Sequence, residues 1–277
     1  MTVGVRDAEE VQGRLSEERS PRVKGPGALG RRRLRGFQLF RAGEAPSWED
    51  VCADLFRRNR GTIRIKKERV AVRNLQRLLP AALRLSRVKG FHAMTLRELG
   101  REAGLSTGVL YSCFPSKKAL QDLLLEEGVD FTVRYLRDRI RKVGDPAGRL
   151  REAIRIHIYL SELFGPWFYF LYMEARNLSP EEKRKAMKNE EATERIFREI
   201  LRERMETGDF AGDDRLVAAA IKALLQDWYL KRWKYRKLRV SPDEYANFVS
   251  GLVEAYMLPR PDSHSSSVFQ PGEPQGR

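Results

Sequence analysis

Hydrophobic side chains recur every three or four residues along most of the chain between residues 47 and 257, which is the period of an amphipathic α-helix. No segment shows the alternation of polar and apolar residues that marks a half-buried strand. Ser, Thr or Asp residues, several followed by Pro or by an acid three positions later, stand where helices would begin. The pattern predicts an all-α fold of about nine or ten helices.

The predicted helices differ in length and in the breadth of their apolar faces. A stripe from Trp48 to Phe56 marks the first, and Pro80 lies inside the second, where it is expected to kink or break the helix. The aromatic run at 166–177 is typical of a helix buried on all sides. The first predicted helix has about three turns and includes residues 48–56, and the others cover about 68–88, 96–103, 107–113, 116–143, 146–163, 166–177, 180–208, 214–233 and 242–256.

Two short helices in this series are joined by a tight turn. Thr95 and Glu98 form a capping box before the first, Gly104 permits the break, and Ser106 caps the second. Such a pair is either a helix-turn-helix, whose second helix enters the major groove of DNA, or an ordinary helical hairpin. The hydrophobic pattern alone leaves both interpretations open.

The distribution of charge favours DNA binding. Of the net charge of +15, most lies in residues 1–125, which contain 26 Lys and Arg against 13 Asp and Glu, whereas residues 126–277 contain 27 against 25. A basic surplus beside the two short helices is what phosphate binding requires. Because the chain has neither an apolar run of about 18 residues nor an apolar signal core, we predict a cytoplasmic, nucleoid-associated protein.

The run AALRLSRVKGF at 81–91 and the run MTLRELGREAGLSTGVLYSCFPSKKAL at 94–120 resemble the N-terminal DNA-binding domain of the TetR family of transcriptional regulators. The resemblance spans residues 69–125, and the chain departs from the family pattern at Pro80, Ser86 and Cys113. It implies an all-α protein in which a three-helix helix-turn-helix domain is followed by an all-helical ligand-binding and dimerisation domain.

Candidate DNA contacts fall at helix N-termini and on the outward face of the second short helix. Thr95 and Lys117 occupy N-termini, which suit phosphate, and the resemblance implies a phosphate contact for Tyr111. Gly108 costs about 1 kcal/mol relative to Ala in a helix, which is reasonable where the backbone approaches DNA closely. The other candidates are the cap Ser106 and the outward-facing Thr107, Val109 and Ser112, which are placed to meet base edges.

The segment at 57–67 is rich in basic residues and contains no acid. Two interpretations stay open. It is a solvated linker, or it is an arm that reaches phosphates or the minor groove beside the recognition helix. On the second interpretation, Arg64, Lys66 and Lys67 bind DNA.

Aromatic residues concentrate at 164–173 and 228–233. They are either packed core or the lining of a cavity for an apolar or flat ligand, and the resemblance favours an effector pocket. Arg151, Arg155 and Arg176 would suit a lipid-like carboxylate or an acyl thioester. The predicted effector-binding residues are Phe164, Trp167, Phe168, Phe170, Tyr172, Met173, Trp228, Tyr229 and Trp233.

The last two long helices carry the residues expected at a dimer interface. The resemblance implies that these helices pair with their copies as a four-helix bundle, although their apolar stripes would also fit the core of a monomer. A dimer would place two recognition helices on a palindromic site. The predicted interface residues are the small Ala219, Ala220 and Ala223, which allow close approach, and the large Tyr245, Phe248 and Leu252.

These observations divide the chain into five parts. Residues 1–46 are predicted to be a disordered basic extension, 47–67 an amphipathic helix with a basic arm, and 68–125 the DNA-binding domain, with its helix-turn-helix at 95–114. Residues 126–258 form the effector-binding and dimerisation domain, and 259–277 a disordered tail. Cys52 and Cys113 give no disulfide framework, and Cys113 is expected to be a small buried thiol.

The predicted function is a ligand-responsive repressor that binds operator DNA as a homodimer. The alternative is a DNA-bound adaptor that acts through protein contacts without a small ligand. An enzyme is rejected because the sequence has no nucleophile with a paired base, no phosphate-binding glycine loop and no metal-ligand spacing. No cofactor and no metal are predicted.

Overall fold

The computed structural model describes residues 36–174, 180–208 and 212–257, with the backbone alone for 180–190. Within these ranges the chain forms helices and no strand, which confirms the all-α fold class. A short helical segment, Phe37–Leu39 continued by the π-helical turn Phe40–Glu44, comes first. It is followed by α1 (Trp48–Arg58), α2 (Glu68–Lys89), α3 (Leu96–Ala103), α4 (Thr107–Cys113), α5 (Lys117–Ile140), α6 (Pro146–Leu163), α7 (Gly165–Glu174), α8 (Pro180–Glu206), α9 (Asp214–Leu230), α10 (Arg232–Lys237) and α11 (Pro242–Met257).

Local capping signals set the starts of most of these helices. Ser47 before α1 and Thr95 before α3 both form complete capping boxes with the acid three residues later. Ser116 caps α5, and Asp145 caps α6 by accepting a hydrogen bond from the backbone N–H of Gly148. These predicted starts are confirmed because the signal lies within one turn and does not depend on distant contacts.

The predicted DNA-binding domain consists of α2, α3 and α4, packed around the buried side chains of Phe91, Leu99 and Leu110. The turn between α3 and α4 depends on Gly104, which has φ 61° and so lies in the left-handed region that favours glycine. The guanidinium of Arg77 donates a 2.6 Å hydrogen bond to the carbonyl oxygen of Gly104. A Cβ atom at residue 104 would lie 2.3 Å from that guanidinium and would displace the flexible Arg77 side chain from this hydrogen bond.

Pro80 lies in the interior of α2, and the helix continues through it from Glu68 to Lys89. The predicted alternative of a break at this proline is therefore wrong. Proline removes one hydrogen-bond donor, but Leu78 and Leu79 before it and Ala81 and Ala82 after it are all fully buried. Tertiary packing on both sides of the proline holds the two halves in one helix.

The helices α5 to α11 form what we call the body, and one end of the body faces the DNA-binding domain. α6 runs antiparallel to α5, with the Phe164 and Phe131 rings 5.8 Å apart. α11 in turn runs antiparallel to α6, because Glu254 pairs with Arg151 near the start of α6, whereas Asp243 accepts a hydrogen bond from Tyr159 near its end. The carboxyl end of α6 and the amino end of α11 therefore share one end of the body.

α7 begins at that end and crosses to the DNA-binding domain. Its Phe170 ring lies 5.7 Å from the Phe91 ring in an edge-to-face contact. The buried carboxylate of Glu174 accepts hydrogen bonds of 3.4 Å from the Ser86 hydroxyl and from the Phe91 N–H. Only one face of α7 is fully buried, because Tyr169 and Leu171 are half-buried. The prediction that this helix is buried on all sides is therefore wrong.

The predicted disorder of residues 1–46 is wrong for the last part of that range. Phe40 is buried, and its ring lies 5.2 Å from the Tyr159 ring. The N–H of Phe37 donates a 3.0 Å hydrogen bond to Asp243 of α11. These partners are about 100 to 200 residues away in the sequence, so no local periodicity could reveal them. Residues 1–35 and the predicted tail at 259–277 lie outside the described residues.

The predicted helix at 214–233 is in fact two helices, because α9 ends at Leu230 and α10 begins at Arg232. The chain turns at Lys231, whose backbone angles of φ −116° and ψ 37° are not helical. None of the helices in the described part of the chain is long and apolar enough to span a membrane.

Gly128 in α5 is required by the close approach of Trp167. The indole Nε1 of Trp167 donates a 2.8 Å hydrogen bond to the Leu124 carbonyl, so the ring lies flush against α5. A Cβ atom at residue 128 would lie 2.5 Å from Nε1 of Trp167 and 3.2 Å from Leu171. The Trp48 ring stacks on this indole, with the ring centres 5.5 Å apart and an interplanar angle of 8°.

We predict that Gly128→Ala destabilises the protein by about 1–3 kcal/mol, as overpacking of a core does. The clash outweighs the helix propensity of alanine, which would favour the variant by about 1 kcal/mol. The measurement is the free energy of unfolding in urea. Gly144→Ala is the control, because Gly144 lies in the loop before α6 with open space around it, and it should leave stability nearly unchanged. Equal stability of Gly128→Ala and wild type would contradict the role given to Trp167.

Candidate nucleic-acid interface

α4 presents an open outer face. Its N-cap Ser106 accepts a 3.3 Å hydrogen bond from the backbone N–H of Val109, and Leu110 and Cys113 are buried against the domain. A Cβ atom at Gly108 would meet nothing closer than 4.0 Å. Of the other predicted contacts on this helix, Thr107 and Tyr111 are exposed, and Val109 and Ser112 are half-buried.

The predicted phosphate contact at Thr95 already has partners within the domain. The Thr95 hydroxyl donates a 2.8 Å hydrogen bond to Glu98 and accepts one from the Glu98 backbone N–H. A hydrogen bond from Lys89, with further hydrogen bonds from Thr95, lowers the pKa of Glu98 to about 2. Because a carboxylate therefore stands at this N-terminus at neutral pH, Thr95 is less open to a phosphate than its position in the sequence suggests.

Lys117 likewise has an internal partner. Its ammonium donates a 2.7 Å hydrogen bond to the carbonyl of His92 and lies 5.5 Å from the centre of the Phe91 ring. Partial burial lowers the pKa of Lys117. The side chain thus ties α5 to the loop before α3, and its remaining N–H donors are those left for a phosphate.

The basic arm at 57–67 lies directly beside α4. The backbone N–H of Arg64 donates a 2.9 Å hydrogen bond to the carbonyl of Ser112, and the neighbouring Ile63 is buried. The side chains of Arg64, Lys66 and Lys67 are exposed. This backbone contact could not be found from sequence, because neither Arg64 nor Ser112 carries a pairing signal. Its consequence is that the arm and the recognition helix present their polar groups together.

Both cysteines are buried, as expected for Cys113. Burial raises the pKa of Cys52 to about 12 and that of Cys113 to about 11. A thiol with such a pKa is protonated at neutral pH and reacts slowly.

The aromatic residues predicted to bind an effector fall into three separate groups. In the first, Phe164 and Trp167 pack against Trp48 of α1, with Phe170 reaching Phe91. In the second, the Phe168 ring lies 5.4 Å from both Tyr229 and His157. In the third, Trp228 stacks on Tyr245 and Tyr235. Tyr172 and Met173 are half-buried, and Trp233 is 68% exposed and joins none of these groups.

His157 is a feature that sequence reasoning missed. It is 1% exposed, and its Nδ1 atom has no hydrogen-bond partner. Burial, with the nearby charge of Lys222, lowers the pKa of His157 well below its usual value. A neutral imidazole with an unpaired nitrogen therefore lies in the middle of the body, beside Phe168 and Tyr229.

The basic residues suggested for an acyl headgroup are largely committed elsewhere. Arg151 pairs with Glu254 at 2.7 Å, and Arg155 pairs with the buried Glu152. Arg176 lies outside the described residues.

The predicted dimer residues separate into exposed and buried sets. Tyr245 is buried and donates a 2.8 Å hydrogen bond to the Leu224 carbonyl, so it belongs to the core of the protomer. The remaining residues are exposed and form, with two further large side chains, a continuous set on α9 and α11 that we call the apolar stripe. It consists of Leu216, Ala219, Ala220, Ala223, Phe248, Leu252 and Tyr256.

Two family models match the chain. Residues 78–124 match the model described as bacterial regulatory proteins of the tetR family. Residues 143–255 match the model described as the tetracyclin repressor-like C-terminal domain. The two matches together cover more than half of the chain, and they include α3 and α4 and most of the body.

Known proteins point the same way. The HTH-type transcriptional activator FasR of Mycolicibacterium smegmatis is 38% identical over 77 residues, which cover 28% of this chain and only 35% of FasR. A regulatory protein of the tetR family from Rhodococcus RHA1 shares the fold with a TM-score of 0.59 at 22% identity, over 66% of this chain and 95% of that one. FadR from Bacillus subtilis, in complex with stearoyl-CoA, also shares the fold, with a TM-score of 0.54 at 18% identity over 65% of this chain and 97% of FadR. The chain belongs to the TetR family of transcriptional regulators, which bind DNA through the helix-turn-helix domain.

Proposed function

We propose that this regulator binds a palindromic operator as a homodimer, acts as a repressor, and is released by a small apolar effector of acyl type. It would act in the cytoplasm, on the nucleoid. The observation that carries the proposal is the outer face of α4, which is open at Gly108 and joined by a backbone hydrogen bond to the basic arm. Such a face can enter a major groove while the arm follows the phosphates.

On this proposal, residues of α4 and the arm share the work of binding. Thr107, at the exposed start of α4, is placed to meet base edges, together with the half-buried Val109. The Tyr111 hydroxyl and the cations Arg64, Lys66 and Lys67 hold phosphates and fix the register without reading sequence.

The apolar stripe supports the homodimer. A stable monomer seldom leaves Phe248, Leu252 and Tyr256 about half exposed on the same face of one helix. Alanines on α9 would let the two copies of that helix approach closely. Pairing of α9 and α11 with their copies would bury this surface in a two-fold interface.

The effector would bind beside His157, Phe168 and Tyr229. A buried polar atom without a partner costs free energy in the empty protein, and a ligand oxygen or amide can pair with the His157 nitrogen. The aromatic rings around it favour an apolar chain. Since a structurally similar protein, FadR, is in complex with stearoyl-CoA, that compound is the first ligand to test.

Two observations favour alternatives to this proposal. The aromatic groups are packed against one another, as a DNA-bound adaptor that contacts proteins and needs no ligand would allow. The relative FasR is named an activator, so a reporter gene under the selected operator must be measured with and without the regulator. Expression that rises with the regulator would exclude the repressor.

We predict that a palindromic sequence is recovered when the protein selects DNA from a random pool at stated salt. Thr107→Ala should change the recovered bases and cost about 1–3 kcal/mol on the original operator. Tyr111→Phe removes only a hydroxyl and should weaken binding to all sequences alike. If Thr107→Ala recovered the same sequence with uniformly lower affinity, the base-reading role of Thr107 would be wrong.

We predict a dimer at micromolar concentration in the absence of DNA, measured by light scattering. The double change Ala219→Arg and Phe248→Arg should give a monomer, because it places uncompensated charge in the interface. Leu39→Arg is the control, since Leu39 is a similarly exposed apolar residue outside the stripe. A wild-type monomer, or a dimer that survives the double change, would exclude the interface proposed here.

We predict that stearoyl-CoA releases the operator and alters tryptophan emission over the same concentration range. His157→Leu should abolish the response while changing DNA affinity and stability little, because the Nδ1 atom that it removes has no hydrogen-bond partner that would be left unpaired. Tyr235→Phe is the control in the third aromatic group.

Truncation of Trp228 is a poor probe, because removal of this fully buried indole would cost about 3–5 kcal/mol. A response that persists in His157→Leu would refute the proposed site.

A further inference from the structure

The segment at 231–239, KRWKYRKLR, is the most basic part of the body. Six of its nine residues are Lys or Arg, and none is acidic. Residues 126–277 contain 27 basic and 25 acidic residues, so without this segment they contain 21 basic and 25 acidic residues. This concentration of positive charge is therefore an exception on an otherwise slightly acidic half of the chain.

The inner side of the segment is rigidly held. Arg232 forms a two-pronged ion pair with Glu162 at the carboxyl end of α6, at 2.6 and 3.0 Å, and lies 4.3 Å from the Trp228 ring. Tyr235 is buried and donates a hydrogen bond to Asp227. Burial alone would raise the pKa of Asp227, but hydrogen bonds from Lys231, Tyr235 and Lys234 lower it to about 2. α10 thus has a fixed orientation on the body.

The outer side of the segment has no such partners. Arg236, Lys237 and Arg239 are exposed, and no ion pair joins them to any residue in the described ranges. Trp233 is 68% exposed and lies three and four positions before Arg236 and Lys237, so the three side chains share one face of α10. We call the outward set, which consists of Trp233, Arg236, Lys237 and Arg239, the body patch.

The backbone at Arg239 adds an independent observation. Arg239 has φ 55°, and it is the one non-glycine residue in the described ranges with a positive φ. The N–H of Val240 donates to the Tyr235 carbonyl, so Arg239 occupies the helix-ending position at which glycine is usual. An arginine stands where glycine would relieve strain, as expected where the side chain has a task.

The body patch lies at the end of the body that faces the DNA-binding domain. Arg232 contacts the carboxyl end of α6, and Tyr229 contacts Phe168 at the start of α7. α7 runs from this same end to Phe91 in the DNA-binding domain. The patch and the DNA-binding domain therefore lie toward the same end of the body.

We propose that the body patch is a second DNA-binding surface, which binds the phosphates of the duplex and lays Trp233 against the sugar-phosphate backbone. The proposal rests on DNA binding by the helix-turn-helix domain and adds to it a contact that does not read sequence. Exposed guanidinium and ammonium groups without internal partners suit phosphate, and the indole beside them offers a flat apolar face with a polar N–H at its edge. The patch would raise affinity and make it more dependent on salt.

The test compares two triple variants that remove the same charge. The patch variant carries Arg236→Gln, Lys237→Gln and Arg239→Gln. The control carries Arg141→Gln, Lys142→Gln and Arg215→Gln at exposed positions on the opposite end of the body. Affinity for the selected operator is measured across a salt series. In the patch variant, the slope of log affinity against log salt should fall by about 0.9 for each phosphate that is no longer neutralised, and affinity should fall on the order of tenfold at low salt.

The outcomes separate this proposal from the function on which it rests. A wild-type protein that binds no DNA would refute the regulator itself. A patch variant with the same affinity and salt slope as the control would refute the body patch and leave the regulator intact. Vesicles that contain anionic lipid serve as a second probe, and a patch variant that no longer binds vesicles but binds DNA as before would assign the patch to a membrane surface instead.

A crosslinking experiment tests the contact directly. Lys237→Cys, labelled with a photoactivated crosslinker, should join to operator DNA, whereas Lys142→Cys at the opposite end should not. The two native thiols are buried and their pKa values are raised, so the label goes to the introduced cysteine. Equal crosslinking at the two positions, or none at Lys237→Cys, would overturn the proposal.

Discussion

The contact of Trp167 with α5 is the constraint that decides how the DNA-binding domain sits on the body. The indole can lie against the helix only because Gly128 has no side chain, and its hydrogen bond to the Leu124 carbonyl fixes the ring in place. The Trp48 ring stacks on the same indole. α1, α5 and α7 meet at this one residue, and the Phe91–Phe170 contact and the hydrogen bonds of Glu174 add to it where α7 reaches the DNA-binding domain.

The chain before α2 strengthens that junction with charge. Glu127 of α5 is nearly buried and accepts hydrogen bonds of 3.1 Å from Arg58 and 2.7 Å from Asn59, at the carboxyl end of α1. Farther along α5, Arg134 pairs with Asp54 and Arg139 with Glu44. This segment precedes both family matches, the first of which begins at residue 78. It nevertheless contacts α5, the helix that joins the two domains, from Glu127 to Arg139.

Sequence reasoning succeeded where the signal is local and failed where the partner is distant. The capping boxes at Ser47 and Thr95 predicted helix starts correctly because both halves of each box lie within four residues. Periodicity placed Tyr245 and Phe248 on the same stripe of α11, yet Tyr245 is buried and Phe248 is exposed. When the apolar face of a helix is wide enough to contact two surfaces, its sequence does not show which residues face the protomer's own core. For Tyr245, the ring contacts with Trp228 and Tyr235 decide it.

Residues close together on α7 link the parts that regulation would have to couple. Phe168 contacts His157 at the proposed effector site, Trp167 contacts α5, and Phe170 contacts Phe91 in the DNA-binding domain. A ligand that displaced Phe168 would move the other two contacts with it, because all three belong to one rigid helix. The ligand shifts the equilibrium only by its difference in affinity between the two positions of α7, and a 100-fold difference corresponds to about 2.7 kcal/mol. That amount is comparable to the cost of overpacking a core, so a ligand with such a preference would supply about as much free energy as a substitution at the Gly128 junction is predicted to cost.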